Sequence, residues 1–339
     1  MLTTPSQLLL RNQTDLKGHV LLVEPLCDDL SRELALAAPQ LQLHCYTTDK
    51  AVASHWQAQS AAPCYFAARL HCDLTFDTVV IFYPKSKEQL AYSLAEIAPV
   101  ISATTEIYLV GDNKGGIKSF AGHAEKLGLT AHKLDNAKHC LWFALNGLAE
   151  KPQPPIKMQT FSATAGTSTI NFCSLPGVFN HGKLDIGTTL LLEHMQHIQQ
   201  GNVLDFACGA GVIGSYLLQK QPGLQLYLSD VSALAVESCK ATLALNQQQG
   251  RVIAANGLPD GTPLFQHIVS NPPFHTGVKT DYSVAQQFID QSKAKLSAGG
   301  SLTLVANAHL PYAEWLKAAF GNVKELARRQ GFVVYQSRK

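Results

Sequence analysis

Short apolar runs alternate with longer stretches whose apolar residues recur every three to four positions. In the second half of the chain the runs at residues 202–206, 225–230, 251–255, 265–270, 301–306, 323–326 and 332–336 predict strands. Residues 231–247 and 284–296 predict helices between them. The first half repeats the rhythm at 19–23, 41–46, 78–82, 106–110 and 140–144. Strands that read as unbroken apolar runs are buried on both faces, so the pattern predicts a mostly parallel sheet with helices on either side.

The repeat is also visible segment by segment. Residues 76–84, ending Phe82-Tyr83-Pro84, stand in the first half where residues 265–273, ending Asn271-Pro272-Pro273, stand in the second. Each is followed by another apolar strand, at 107–110 and 302–305. The expected fold is therefore α/β, with two tandem Rossmann-like domains that arose by duplication; seven strands are marked in the second half, and the same mostly parallel seven-stranded sheet is expected of the first, where five are marked. The proline cluster Lys151-Pro152-Gln153-Pro154-Pro155 stiffens the connection, and domains are expected at residues 1–150 and 158–339.

Composition adds limits. With 46% apolar and 15% charged residues, the 339-residue chain can bury two cores and is not disordered. Eight scattered cysteines without a C-x-x-C pair read as reduced thiols of a cytoplasmic protein. The opening Met1-Leu2-Thr3-Thr4-Pro5 lacks a signal-peptide pattern, and no apolar run is long enough to span a membrane. The net charge of +2 divides unequally. Residues 1–150 carry 12 Lys and Arg against 15 Asp and Glu, and residues 151–339 carry 15 against 10. That asymmetry fits a polyanionic partner meeting the second half more than the first half.

Residues 203–214 read Val-Leu-Asp-Phe-Ala-Cys-Gly-Ala-Gly-Val-Ile-Gly, a strand running into a glycine turn and then a helix. Gly209, Gly211 and Gly214 fit the dinucleotide fingerprint, which taken alone leaves an NAD-dependent oxidoreductase open. Asp205 at the strand end separates the readings. A carboxylate there repels a pyrophosphate but attracts the ammonium and sulfonium of S-adenosyl-L-methionine. Asp230, closing the next strand, can accept hydrogen bonds from both ribose hydroxyls of either ligand. The candidate donor-binding positions are Asp205, Cys208, Gly209, Gly211, Asp230 and Val231, together with Asn271 at the end of the fourth strand. Asn256 is a candidate for the adenine amino group, although Asn256-Gly257 is also an ordinary turn pair.

The fourth strand runs into Asn271-Pro272-Pro273-Phe274. An exocyclic amine is a poor nucleophile because its lone pair is delocalised into the ring. The Asn271 side-chain oxygen and the Pro272 carbonyl can each accept one N–H, turning the lone pair towards a methyl group and stabilising the developing charge. Consecutive prolines fix that carbonyl in advance, and Phe274 offers a face for stacking a base. The first half has Phe82-Tyr83-Pro84-Lys85 here and no glycine turn after residues 20–25, so that domain is expected to bind no donor.

The acidic strand end, the Cys-Gly-x-Gly turn and Asn-Pro-Pro-Phe resemble the methyltransferase small-domain family. The whole chain, with its degenerate front half, is similar to the family's ribosomal RNA guanine-N2 methyltransferases of the small subunit. That resemblance implies methylation of a guanine N2 amine in 16S rRNA, with the 30S subunit as partner and S-adenosyl-L-methionine as donor. It also implies that Phe179, Lys183, Asp185 and Gly187 line the donor and guanine. The stretch Asp185-Ile186-Gly187-Thr188 reads equally well as a helix start. The choice of guanine rests on the resemblance, because the same tetrapeptide serves adenine-N6 methylation. A catalytically inactive RNA-binding protein is the alternative of another class.

A paired guanine must be flipped to enter such a pocket, and phosphate contacts would offset that cost. Lys85, Lys87, Lys114 and Lys118 follow strands of the first domain and are candidates, alongside Lys279, Arg328 and Arg329. His275 would lie near the substrate. His194 and His197 have helical spacing but lack further ligands, so no metal is expected. The protein is expected to be a monomer.

Overall fold

The computed structural model describes residues 1–84, 86–179, 181–272 and 283–339. Lys85, Pro273, Phe274, His275 and Lys279 lie outside the described residues. The chain divides into two compact units, Met1–Lys157 and Met158–Lys339.

The first unit has seven strands: β1 (His19–Val23), β2 (Gln42–Thr47), β3 (Cys64–Phe66), β4 (Thr78–Phe82), β5 (Glu106–Asp112), β6 (Thr130–Ala137) and β7 (Cys140–Asn146). They form one sheet in the order β3-β2-β1-β4-β5-β7-β6, parallel except where β7 meets β5 and β6. The second unit begins with an antiparallel hairpin, β8 (Gln159–Ala165) and β9 (Ser168–Ser174). Its sheet comprises β10 (Asn202–Phe206), β11 (Gln225–Asp230), β12 (Arg251–Ala254), β13 (Phe265–Ser270), β14 (Leu296–Asn307), β15 (Lys324–Arg329) and β16 (Phe332–Arg338). The order β12-β11-β10-β13-β14-β16-β15 repeats that of the first unit. The chain is thus two tandem Rossmann-like folds.

Burial on both faces explains why the strands read as apolar runs. Leu21, Val23, Val79 and Ile81 enter one core of the first unit, and Val20, Leu22, Val80 and Phe82 enter the other. In the second unit Val203, Val269 and Val305 face one core while Leu204, Ile268, Leu302 and Leu304 face the opposite one. Strand β14 starts at Leu296, so the preceding helix ends at Lys295. The strand expected at 323–326 runs instead over Lys324–Arg329.

In each sheet the chain builds outward from the first strand, then crosses back to pair a later strand on its other side. That reversal, between β10 and β13 in the second unit, opens a crevice at the carboxyl ends of the strands. The hairpin anchors the loop leading to it. The Cys173 N–H donates to Thr242 Oγ1 at 2.9 Å and the Leu175 N–H to Ser238 Oγ at 3.0 Å, both on the helix Ala233–Leu245. Among the described residues no helix is long and apolar enough to cross a membrane.

Candidate active site

The turn after β10 is shaped by its glycines and by two carboxylates. Ala207 and Gly209 have φ of 55° and 53°, the left-handed region in which a non-glycine residue is strained. The Gly209 N–H donates to Asp230 Oδ2 at 2.9 Å, and the Ser232 N–H to Asp230 Oδ1 at 2.9 Å. Asp230 is thereby fixed at the end of β11, beside the turn. A Cβ on Gly209 would meet no atom closer than 3.9 Å, so this backbone is open to a ligand. Gly214 serves packing instead, since a Cβ there would lie 2.5 Å from Leu228. Cys208 is buried and its N–H donates to Ser229 O, while Val231 sits in the turn before the helix at Ala233.

Asp205 is fully buried. Its Oδ2 accepts from the Gly214 N–H at 2.9 Å, and Oδ1 has no hydrogen-bond partner among the described residues. Burial first, and then the nearby Asp230 charge, push its pKa up to about 8. The group is therefore not an open anion facing solvent. A cationic ligand reaching this crevice would favour its ionised form.

Across the reversal, Ser270 Oγ donates to the Phe206 carbonyl at 2.8 Å and ties the end of β13 to the start of the turn. Asn271 follows. Its Nδ2 donates to Thr188 Oγ1 at 2.9 Å and lies 3.3 and 3.5 Å from the two oxygens of Asp185. Its Oδ1 is buried with no partner among the described residues. Leaving such an acceptor unmet costs about 1–3 kcal/mol. Pro272 is buried beside it. The arrangement can hold an N–H donor.

Three of the expected positions, Asp205, Asp230 and Asn271, thus converge on the ends of adjacent strands. Asp185 caps the helix Ile186–Leu192, accepting the Thr188 N–H, and reaches Asn271. Gly187 is buried, and a Cβ on it would meet the Phe332 ring at 2.9 Å, which gives it a packing role. Phe179 is 64% exposed and Lys183 is exposed, both on the loop before Asp185. Asn256 is exposed beyond the end of β12. Thr188 and Ser270 were not anticipated, and no sequence signal marks them apart from the Asp-x-x-Thr spacing of a helix cap.

Among the other candidates, Lys87, Lys114 and Lys118 are exposed and follow β4 and β5 at the carboxyl edge of the first sheet. Arg328 is paired with Glu325 and Arg329 with Glu193. His194 Nδ1 bonds the Leu190 carbonyl, and His197 meets Thr303 and Gln336. No group of three metal-ligating side chains occurs among the described residues.

Residues 169–336 match the methyltransferase small domain, and residues 6–164 match its N-terminal domain. A ribosomal RNA small subunit methyltransferase C from Pseudoalteromonas translucida is 39% identical, with 99% of each chain aligned. One from Shewanella loihica is 38% identical over the whole of both chains. The chain belongs to the methyltransferase small-domain family. A T. thermophilus 16S rRNA N2-guanine methyltransferase solved with AdoMet and guanosine superposes with a TM-score of 0.83 at 24% identity, covering 99% of this chain and 92% of that one. That likeness establishes the fold of a small-domain methyltransferase with its N-terminal domain.

Proposed function

We propose that the second unit transfers the methyl group of S-adenosyl-L-methionine to the exocyclic N2 amine of a guanine in 16S rRNA of the small ribosomal subunit. Membership of a family whose full-length relatives are small-subunit rRNA methyltransferases supports the substrate. The observation that carries the chemistry is the buried Asn271 Oδ1, without a partner among the described residues, at the strand reversal beside a glycine turn closed by two carboxylates.

The donor supplies an electrophilic methyl on a sulfonium centre. Asp230 receives the ribose hydroxyls, Gly209 lets the ligand approach the backbone, and Asp205 provides negative charge beneath the turn once ionised. Cys208, Gly211 and Val231 shape the same wall, and Asn256 meets the adenine edge. Asn271 Oδ1 and the Pro272 carbonyl accept the two N–H groups of the amine, directing its lone pair at the methyl carbon and stabilising positive charge as it forms. The methylated ammonium is acidic enough to lose its proton to water, so no strong base is required. Phe274 supplies the stacking face, and Phe179, Lys183 and Pro273 border the guanine.

The first unit binds RNA rather than donor, with Lys85, Lys87, Lys114 and Lys118 on its phosphates. The protein acts as a cytoplasmic monomer on the 30S subunit, without a metal. Incubating 30S subunits, free 16S rRNA and unmodified DNA with labelled donor, then identifying the product nucleoside, tests this reading. N2-methylguanosine in the subunit is expected. N6-methyladenosine as the sole product would overturn it.

A further inference from the structure

We infer that Asp185 is a positioning residue for Asn271, setting which end of that amide faces the substrate. The inference rests on the reading of Asn271 as the amine acceptor. The two ends of a carboxamide have nearly the same shape and opposite hydrogen-bonding character, so a half-turn about the last side-chain bond exchanges acceptor for donor. An Asn271 turned the wrong way would present N–H to the N–H of the amine.

The neighbours decide the orientation. Thr188 Oγ1, 2.9 Å away, is a hydroxyl that both donates and accepts, and it tolerates either end. The Asp185 carboxylate only accepts. Its oxygens lie 3.3 and 3.5 Å from Nδ2, and turning the amide would set Oδ1 against them with no hydrogen between. The NH2 end is therefore held by Asp185, and Oδ1 is left over, buried and unpartnered among the described residues.

Asp185 is itself held in place. It is the N-cap of the helix Ile186–Leu192, its Oδ2 accepting the Thr188 N–H at 3.2 Å and its carbonyl accepting the Thr189 N–H at 3.0 Å. A single side chain thus caps a helix on one strand-flanking segment and orients an amide 86 residues further along the chain.

Three variants separate these duties. Asp185→Asn keeps a good cap, since asparagine and aspartate cap equally well, but its own amide can meet Asn271 in either orientation. We expect its melting temperature and its affinity for S-adenosylhomocysteine to match the parent, with kcat lower by about tenfold or more and KM for RNA little changed. Asn271→Asp should be poorly active, because it sets two carboxylates face to face. Combining Asp185→Asn with Asn271→Asp restores a donor on one side and a free carboxylate oxygen on the other. That pair should recover turnover relative to Asn271→Asp alone.

A kcat for Asp185→Asn within about twofold of the parent would overturn the inference. So would a loss of kcat that tracks a loss of stability or donor affinity, or a double variant no better than Asn271→Asp. Asn271→Ala distinguishes the two levels. If it turns over normally, the amine-acceptor reading itself fails; if it is inactive while Asp185→Asn is not, only the positioning role fails.

Discussion

The two units arrange seven strands in the same order, and the register of their central strands places residues in pairs. Leu22 stands where the second unit has Asp205, Thr47 where it has Asp230, and Phe82 where it has Asn271. Even the unusual backbone after the first strand is shared, with φ of 51° at Glu24 and 55° at Ala207. The side chains then do opposite things. Ala207 carries a methyl group, and the neighbouring Gly209 leaves the backbone open. The Glu24 carboxylate instead reaches the end of β2, accepting from Thr47 Oγ1 at 2.8 Å and from the Thr48 N–H and Oγ1 at 2.9 and 2.6 Å. The first unit thus fills its own strand ends with protein hydrogen bonds. A sheet order provides the crevice, and a handful of side chains decides whether a ligand or the protein occupies it.

The sharpest way to break this comparison is at Asn271. Asn271→Ala should lower turnover by about 10²-fold or more while leaving donor affinity nearly unchanged, because the contact proposed between Oδ1 and the amine strengthens only as charge develops. Parallel single-turnover and calorimetric measurements check it. Next in size is Asp230→Ala, which removes the proposed ribose acceptor together with the anchor of the Gly209 N–H. Affinity for S-adenosylhomocysteine should fall by about tenfold or more, with kcat at saturating donor affected less.

A smaller effect, of distinctive sign, is expected at Asp205. Its folded pKa of about 8 lies above the usual 3.8, so between those values the folded chain keeps a proton that the unfolded chain has released. Its contribution to stability therefore declines as pH rises across that window. Asp205→Asn removes the decline. The unliganded variant should melt at the parent's temperature near pH 4 and several degrees above it near pH 8, while binding donor more weakly. A variant less stable than the parent at pH 8 would mean that the charge serves the fold. The smallest effect belongs to the first unit, where Glu24→Ala should cost about 1–2 kcal/mol of stability in denaturant titration and leave kcat unchanged.

The central strands were legible because burial on both faces turns them into apolar runs, and Val203 and Leu204 show this by entering opposite cores. Strand β6 was not. Its Thr130–Ala137 segment is an exposed sheet edge with alternating polar residues and carries little apolar signal. Strand β8 of the hairpin escaped for the same reason, since Gln159, Thr160, Ser162 and Thr164 face solvent.

Asp205, Asp230 and Asn271 could be singled out as candidates because each lies at or just past the end of a strand that the pattern locates. The link from Asn271 to Asp185 and Thr188 could not, as it joins segments more than 80 residues apart and depends on how the sheet reverses. Asp205 was legible as an acid but not as a buried one. Its burial follows from Gly214, whose missing side chain lets the helix close over the carboxylate.

Calorimetric titration of S-adenosylhomocysteine into the full chain, the Asp230→Ala variant and the Glu24→Ala variant tests the central claim that one unit binds and the other does not. One site per chain, lost or severely weakened in Asp230→Ala and untouched in Glu24→Ala, is the predicted result. Two sites per chain, or a site that survives Asp230→Ala and disappears with Glu24→Ala, would contradict it.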